Sequence, residues 1–92
     1  MKKKNMKERC DRKSVYECID GERNYQDIKW GLKEHPIPQF VCDIREHLQR
    51  LERHCYNLDN LEMLEEIRKI GALSVKCMEV HGFIERKGLS ND

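Results

Sequence analysis

The sequence has no apolar run approaching the roughly 20 residues that a membrane-spanning helix requires, and no apolar core of the secretory kind behind its basic start. Its cysteines are odd in number and none forms a C-x-x-C pair: they stand alone as Cys10, Cys18, Cys42, Cys55 and Cys77. Disulfide frameworks draw on even, patterned cysteines, so reduced thiols in a cytoplasmic compartment are expected. A zinc ion held by His54, Cys55 and a distant cysteine has the wrong spacing for a closed structural site. A glycine-rich phosphate loop is missing, as are Ser/His/Asp or Cys/His arrangements and nucleic-acid-binding signatures. These absences argue against disulfide-stapled secreted proteins, membrane spans, P-loop enzymes and triad hydrolases.

What the chain does have is charge. Of its 92 residues 38% are Asp, Glu, Lys or Arg and 38% are hydrophobic, so a single domain of this length has little interior to build with. Small chains often complete their burial against a partner, and a homo-oligomer, dimeric or tetrameric, is the expected state. The net charge of +1 hides an asymmetry. Residues 1–13 hold seven of the eighteen Lys/Arg and two of the seventeen Asp/Glu, leaving a mildly acidic body behind a basic arm. No aromatic residue interleaves with those lysines for base stacking, so residues 1–13 read as a disordered leader, and a nucleic-acid partner is disfavoured.

Three segments carry helical periodicity, which makes the expected fold class all-α: a helical hairpin with an N-terminal helix laid across it, spanning residues 14–86, with a disordered tail at 87–92. The first helix is expected from Ser14, a candidate N-cap with Glu17 completing a capping box, to about Lys29, with Gly31 as its stop and Gly21 as a possible break. Pro36 and Pro38 mark the loop that follows. A second helix runs from about Pro38 to Tyr56, its stripe of Ile37, Val41, Ile44, Leu48, Leu51 and Cys55 stepping by threes and fours with Phe40 alongside. Cys42, Cys55 and Cys77 fall on or beside such stripes as small hydrophobes. The third helix is expected from Asn60, capped by Asp59, to His81, stopped by Gly82. Gly71, Ala72 and Ser74 in its second half permit the close approach of another helix, with one from a second subunit as the expected neighbour.

Three stretches then resemble a known family. Glu22-Arg23-Asn24-Tyr25-Gln26-Asp27-Ile28-Lys29-Trp30-Gly31 is similar to the opening motif of small phage-encoded MazG-like proteins, Leu64-Glu65-Glu66-Ile67-Arg68-Lys69-Ile70 to a central piece, and Met78-Glu79-Val80-His81-Gly82 to the closing one. His35-Pro36 sits where that group often has a His-Pro loop. The resemblance covers about Val15 to Arg86. It implies a helical bundle that assembles into dimers or tetramers, a bacterial host cytoplasm, and, in active members, Mg²⁺-dependent hydrolysis of nucleoside triphosphates to monophosphate and pyrophosphate. About four carboxylates on two antiparallel helices hold the metal in such proteins, because residues three or four apart share a helix face.

The sequence departs from that pattern where the metal would sit. On the second helix the corresponding positions fall on Gln49, Arg50 and Arg53, and on the third Glu66 stands with Lys69 in place of the second acid. An alternative metal set of Glu46, Glu62, Glu65 and Glu66 remains, although Glu46 and Glu52 are six apart and point different ways. Arg45, His47, Arg50, Arg53 and His54, with Arg68 and Lys69, instead offer cations suited to gripping phosphate without a bridging ion. Tyr25 and Trp30 are candidates for stacking against a base. Each of these residues also has an ordinary reading, as a solvated ion-pair partner or a helix-packing residue. The expectation is therefore a non-catalytic protein that binds a phosphorylated nucleotide, with cyclic and ADP-ribose-type signalling nucleotides as candidates, and needs no cofactor. The alternatives are a Mg²⁺-dependent pyrophosphohydrolase and a module that binds and blocks a host protein.

Overall fold

The computed structural model describes residues 9–88, which form three helices: α1 (Arg12–Trp30), α2 (Ile37–Tyr56) and α3 (Asn60–His81). There is no strand among the described residues. None of these helices is long and apolar enough to cross a membrane. The structure is the small all-α bundle that the periodicity predicts, and α3 is its centre. Both α1 and α2 pack on α3, and they do not pack on each other.

Local chemistry explains the bounds. Asp59 caps α3 by accepting the Glu62 N–H at 3.1 Å, and Gly82, at φ 88°, takes the left-handed turn that ends it. Gly31, at φ 79°, does the same for α1, and its N–H donates to the Asp27 carbonyl. Proline occupies the first turn of α2, where its missing N–H costs nothing. The start of α1 corrects the sequence reading. Asp11 is the N-cap, its carboxylate accepting the Ser14 N–H at 2.7 Å, so Arg12 and Lys13 belong to the helix and Ser14 lies inside it. Gly21 does not interrupt α1, which meets α3 through Ile19 before that point and through Glu22 and Arg23 after it. Residues 1–8 of the expected leader at 1–13 and 89–92 of the expected tail at 87–92 lie outside the described residues.

The interior is largely polar. Among the described residues Phe40 and Ala72 are the fully buried apolar ones, while Arg23, Gln26, Glu66 and Lys76 are each less than a tenth exposed. Two ionic clasps fasten α1 to α3. Arg23 donates Nε to Glu79 Oε1 at 2.7 Å and both terminal nitrogens to Asp27 at 3.0 and 3.2 Å; Arg68 donates Nε to the buried Glu22 carboxylate at 2.7 Å. The hydrogen bond to Glu79, ahead of the pairing with Asp27, raises the Arg23 pKa against the opposing effect of burial. Between the clasps Ile19 lies over Gly71, so close that a Cβ there would stand 2.8 Å from Ile19 Cδ1. Gly71 on α3 thus admits α1 of the same chain.

The α2 stripe is used in part. Phe40 is buried and Ile44 and Leu51 are half-buried towards α3, whereas Ile37, Val41, Leu48 and Cys55 are exposed along one edge. Cys42 is exposed too, so of the three cysteines expected at apolar stripes Cys77 alone is half-buried.

Candidate ligand-binding cleft

Because α1 and α2 both lean on α3 without meeting, a cleft of about 450 Å³ opens between them above α3. Its size falls in the range of about 300–1,000 Å³ typical of small-molecule sites. One wall is α1, through Gln26 and Trp30; the other is α2, through Phe40, Asp43, Glu46, His47 and Arg50; Leu73 and Lys76 of α3 form the floor, and Lys33 and His35 stand at the connecting loop. The concavity beside Arg12 and Tyr16 is formed by α1 alone and encloses nothing.

The loop at the cleft is held in place. His81 Nε2 lies 2.7 Å from the His35 carbonyl and donates to it, and the Phe40 ring meets both histidine rings edge-on at 6.2 Å between centroids. His81 stands in the last turn of α3 and so ties the α1–α2 loop to that helix end.

Carboxylates in and beside the cleft already have partners. Glu66, expected as the surviving metal ligand, accepts from His47 Nδ1 at 2.8 Å and has Lys69 at 3.7 Å. Burial pushes the Glu66 carboxyl up, but the His47 hydrogen bond and the charges of Lys69, His47 and Arg50 outweigh it and hold the pKa below its ordinary value. Glu46 is paired with Arg50 at 2.6 Å, and Asp43 accepts from Gln39 at 3.1 Å. Glu62 and Glu65 are exposed in the first turns of α3. No three His, Cys, Asp or Glu side chains converge as metal ligands among the described residues, so neither the alternative set of Glu46, Glu62, Glu65 and Glu66 nor the His54–Cys55 combination comes together.

Of the binding residues read from sequence, Trp30, His47 and Arg50 meet in the cleft, and Lys69 lies one ion pair away. Arg45 and Arg53 are exposed on the solvent side of α2, and His54 is half-exposed beyond the lining. Arg68 belongs to the Glu22 clasp. Tyr25 is exposed with Lys29 5.6 Å from its ring centroid, outside the cleft. Sequence reasoning missed Gln26, Lys33, His35 and Lys76. The usable signal was polar residues on inward positions: Gln26 and Trp30 are one turn apart on α1, and Lys76 interrupts an otherwise apolar stretch of α3.

Lys76 and Gln26 are the unusual members. Lys76 is 8% exposed, and its ammonium lies 3.4 Å from the Gly31 carbonyl and 4.0 Å from Asp27. Gln26 is 7% exposed, and its Oε1 has no hydrogen-bond partner. An acceptor left this way costs about 1–3 kcal/mol. No family model, no curated protein and no solved structure matches this chain.

Proposed function

We propose that this chain is a non-catalytic binding protein that captures a phosphorylated nucleotide in the α1–α2 cleft. The observation that carries this reading is the company of Lys33, Arg50 and Lys76 with the Trp30 ring in one concavity. Arg50 is committed only to an exposed pair with Glu46, and such pairs contribute about 0–1 kcal/mol, so its guanidinium can turn to a phosphate at little cost. A guanidinium grips phosphate oxygens bidentately and needs no bridging ion. Trp30 offers a flat apolar surface of the kind on which a base stacks. The motif resemblance supports placing the protein beside the MazG-like proteins of phages, in a host cytoplasm, with cyclic or ADP-ribose-type signals among the ligands to try. The exposed edge of Ile37, Val41, Leu48 and Cys55 supports a homo-oligomer that covers it.

Calorimetry with linear and cyclic nucleotides and ADP-ribose, in buffer containing a chelator, tests the reading. Binding is expected without magnesium, with the ligand recovered intact after heat denaturation. Arg50→Glu and Lys33→Glu are each expected to weaken it at least about tenfold, the equivalent of one charge-assisted hydrogen bond. Absence of binding across the panel, or magnesium-dependent release of pyrophosphate, rejects it.

A further inference from the structure

Four polar residues are less than a tenth exposed among the described residues, and three are spoken for: Arg23 by Glu79 and Asp27, Glu66 by His47 and Lys69, and Lys76 by Gly31 and Asp27. Gln26 is the exception. Its carbonyl oxygen is buried and accepts from none of the described residues, yet the residue lines the cleft one helical turn before Trp30. Buried acceptors in folded proteins nearly always have a donor, so an orphan beside a cleft points to a donor that arrives with a ligand. Lys29 sits over the Trp30 ring at 5.1 Å from its centroid, which leaves the opposite face of the indole for a planar group.

Building on the nucleotide reading above, we infer that Gln26 is a specificity-determining residue that reads the edge of a heterocyclic base stacked on Trp30, with the phosphates turned towards Lys33 and Arg50. A carboxamide presents an acceptor next to a donor. It therefore matches a ring edge with an N–H beside a ring nitrogen or carbonyl, as bases have and as ribose phosphates and pyrophosphate lack. The same geometry makes Gln26 dispensable to the free fold, since it contributes no hydrogen bond there.

Two variants test this, with binding and thermal unfolding measured on each. Wild type is expected to bind nucleoside monophosphates at least about tenfold more tightly than ribose 5-phosphate, one good hydrogen-bonded contact being worth roughly that factor. In Gln26→Leu that gap narrows by about tenfold, stacking on Trp30 being kept, while affinity for ribose 5-phosphate and pyrophosphate is unchanged and the melting temperature is equal or higher. Gln26→Glu replaces the donor with a second acceptor and shifts preference towards guanine, whose N1–H and amino group are adjacent donors. Gln26→Leu that keeps the full wild-type gap, or that melts lower than wild type, overturns the assignment and leaves nucleotide capture standing. Wild type that binds neither nucleotides nor ribose 5-phosphate overturns both.

Discussion

Replacing Arg23 by methionine removes the guanidinium that joins α1 to α3 and keeps much of the buried stem. Four hydrogen bonds are lost at once, at 2.7 and 3.2 Å to Glu79 and at 3.0 and 3.2 Å to Asp27. Breaking a fully buried ion pair costs about 3–5 kcal/mol and an exposed one about 0–1 kcal/mol. This clasp lies between those limits, because the Arg23 side chain is 7% exposed while those of Asp27 and Glu79 are 29% and 53% exposed. The orphaned carboxylates can rehydrate, and Asp27 can turn to Lys76, 4.0 Å away. A loss of about 2–3 kcal/mol is expected. For a domain of this length, at about 4–8 °C per kcal/mol, that lowers the melting temperature by about 10–20 °C. Thermal and urea unfolding followed by circular dichroism measure it. A double-mutant cycle with Glu79→Gln should give a coupling energy of about 1–3 kcal/mol, as contacting charged residues do. If Arg23→Met unfolds within about 0.5 kcal/mol of wild type and the cycle is additive, the clasp does not hold α1, and attachment rests on Ile19 over Gly71 and on Glu22 with Arg68.

The Glu66 pKa is depressed in the folded state, so its pairing stabilises the protein above the ordinary value of 4.5 and loses that contribution as pH falls through the lower folded value. Melting temperature should decline below about pH 4.5 in wild type, and Glu66→Gln, less stable at neutral pH, should flatten that limb until the two curves converge; equal slopes would show that other groups carry the acid response. The glycines of α1 and α3 should respond oppositely. Gly21 has open space around its Cα, so Gly21→Ala should stabilise by about 0.5–1 kcal/mol through helix propensity. Gly71→Leu should destabilise by about 1–3 kcal/mol, because α1 must be pushed away from α3 at Ile19. The same sign for both would contradict the packing of α1 on α3.

Much of the fold was legible because end signals are local. Asp59, Gly82, Gly31 and the two prolines act within a few residues of themselves, and α3 begins and ends where they place it. The start of α1 was misread because two capping residues compete three positions apart, and the cluster of lysines and arginines drew Arg12 and Lys13 into the leader. The cleft was less legible. His47, Arg50 and Trp30 were found by residue type, but which side of α2 faces α1 depends on how both helices sit on α3, and no local pattern encodes that. Arg53 and Arg45, as cationic as Arg50, therefore fell on the wrong side. Lys76 was hidden for the reverse reason: its stretch reads as apolar, and its ammonium is inside because the α1 C-terminal carbonyl and Asp27 receive it there.

Residues 22–31, 64–70 and 78–82 carry both ionic clasps that fasten α1 to α3. Glu22 pairs with Arg68, Arg23 and Asp27 bind each other, and Glu79 completes the fork on Arg23. The first stretch also lends the cleft Gln26 and Trp30. To these α2 adds Asp43, Glu46, His47 and Arg50, which lie outside all three stretches. On that face Glu66 and Glu46 each have a cation supplied by the protein: Lys69 for Glu66, beside the hydrogen bond from His47, and Arg50 for Glu46. A magnesium ion would have to expel those cations before it could coordinate, and Glu66 is held ionised by the groups that would be expelled. A phosphate needs only to draw Arg50 out of an exposed pair worth about 0–1 kcal/mol. The two ligands therefore face unequal displacement costs in the same space, and the inequality favours the anion.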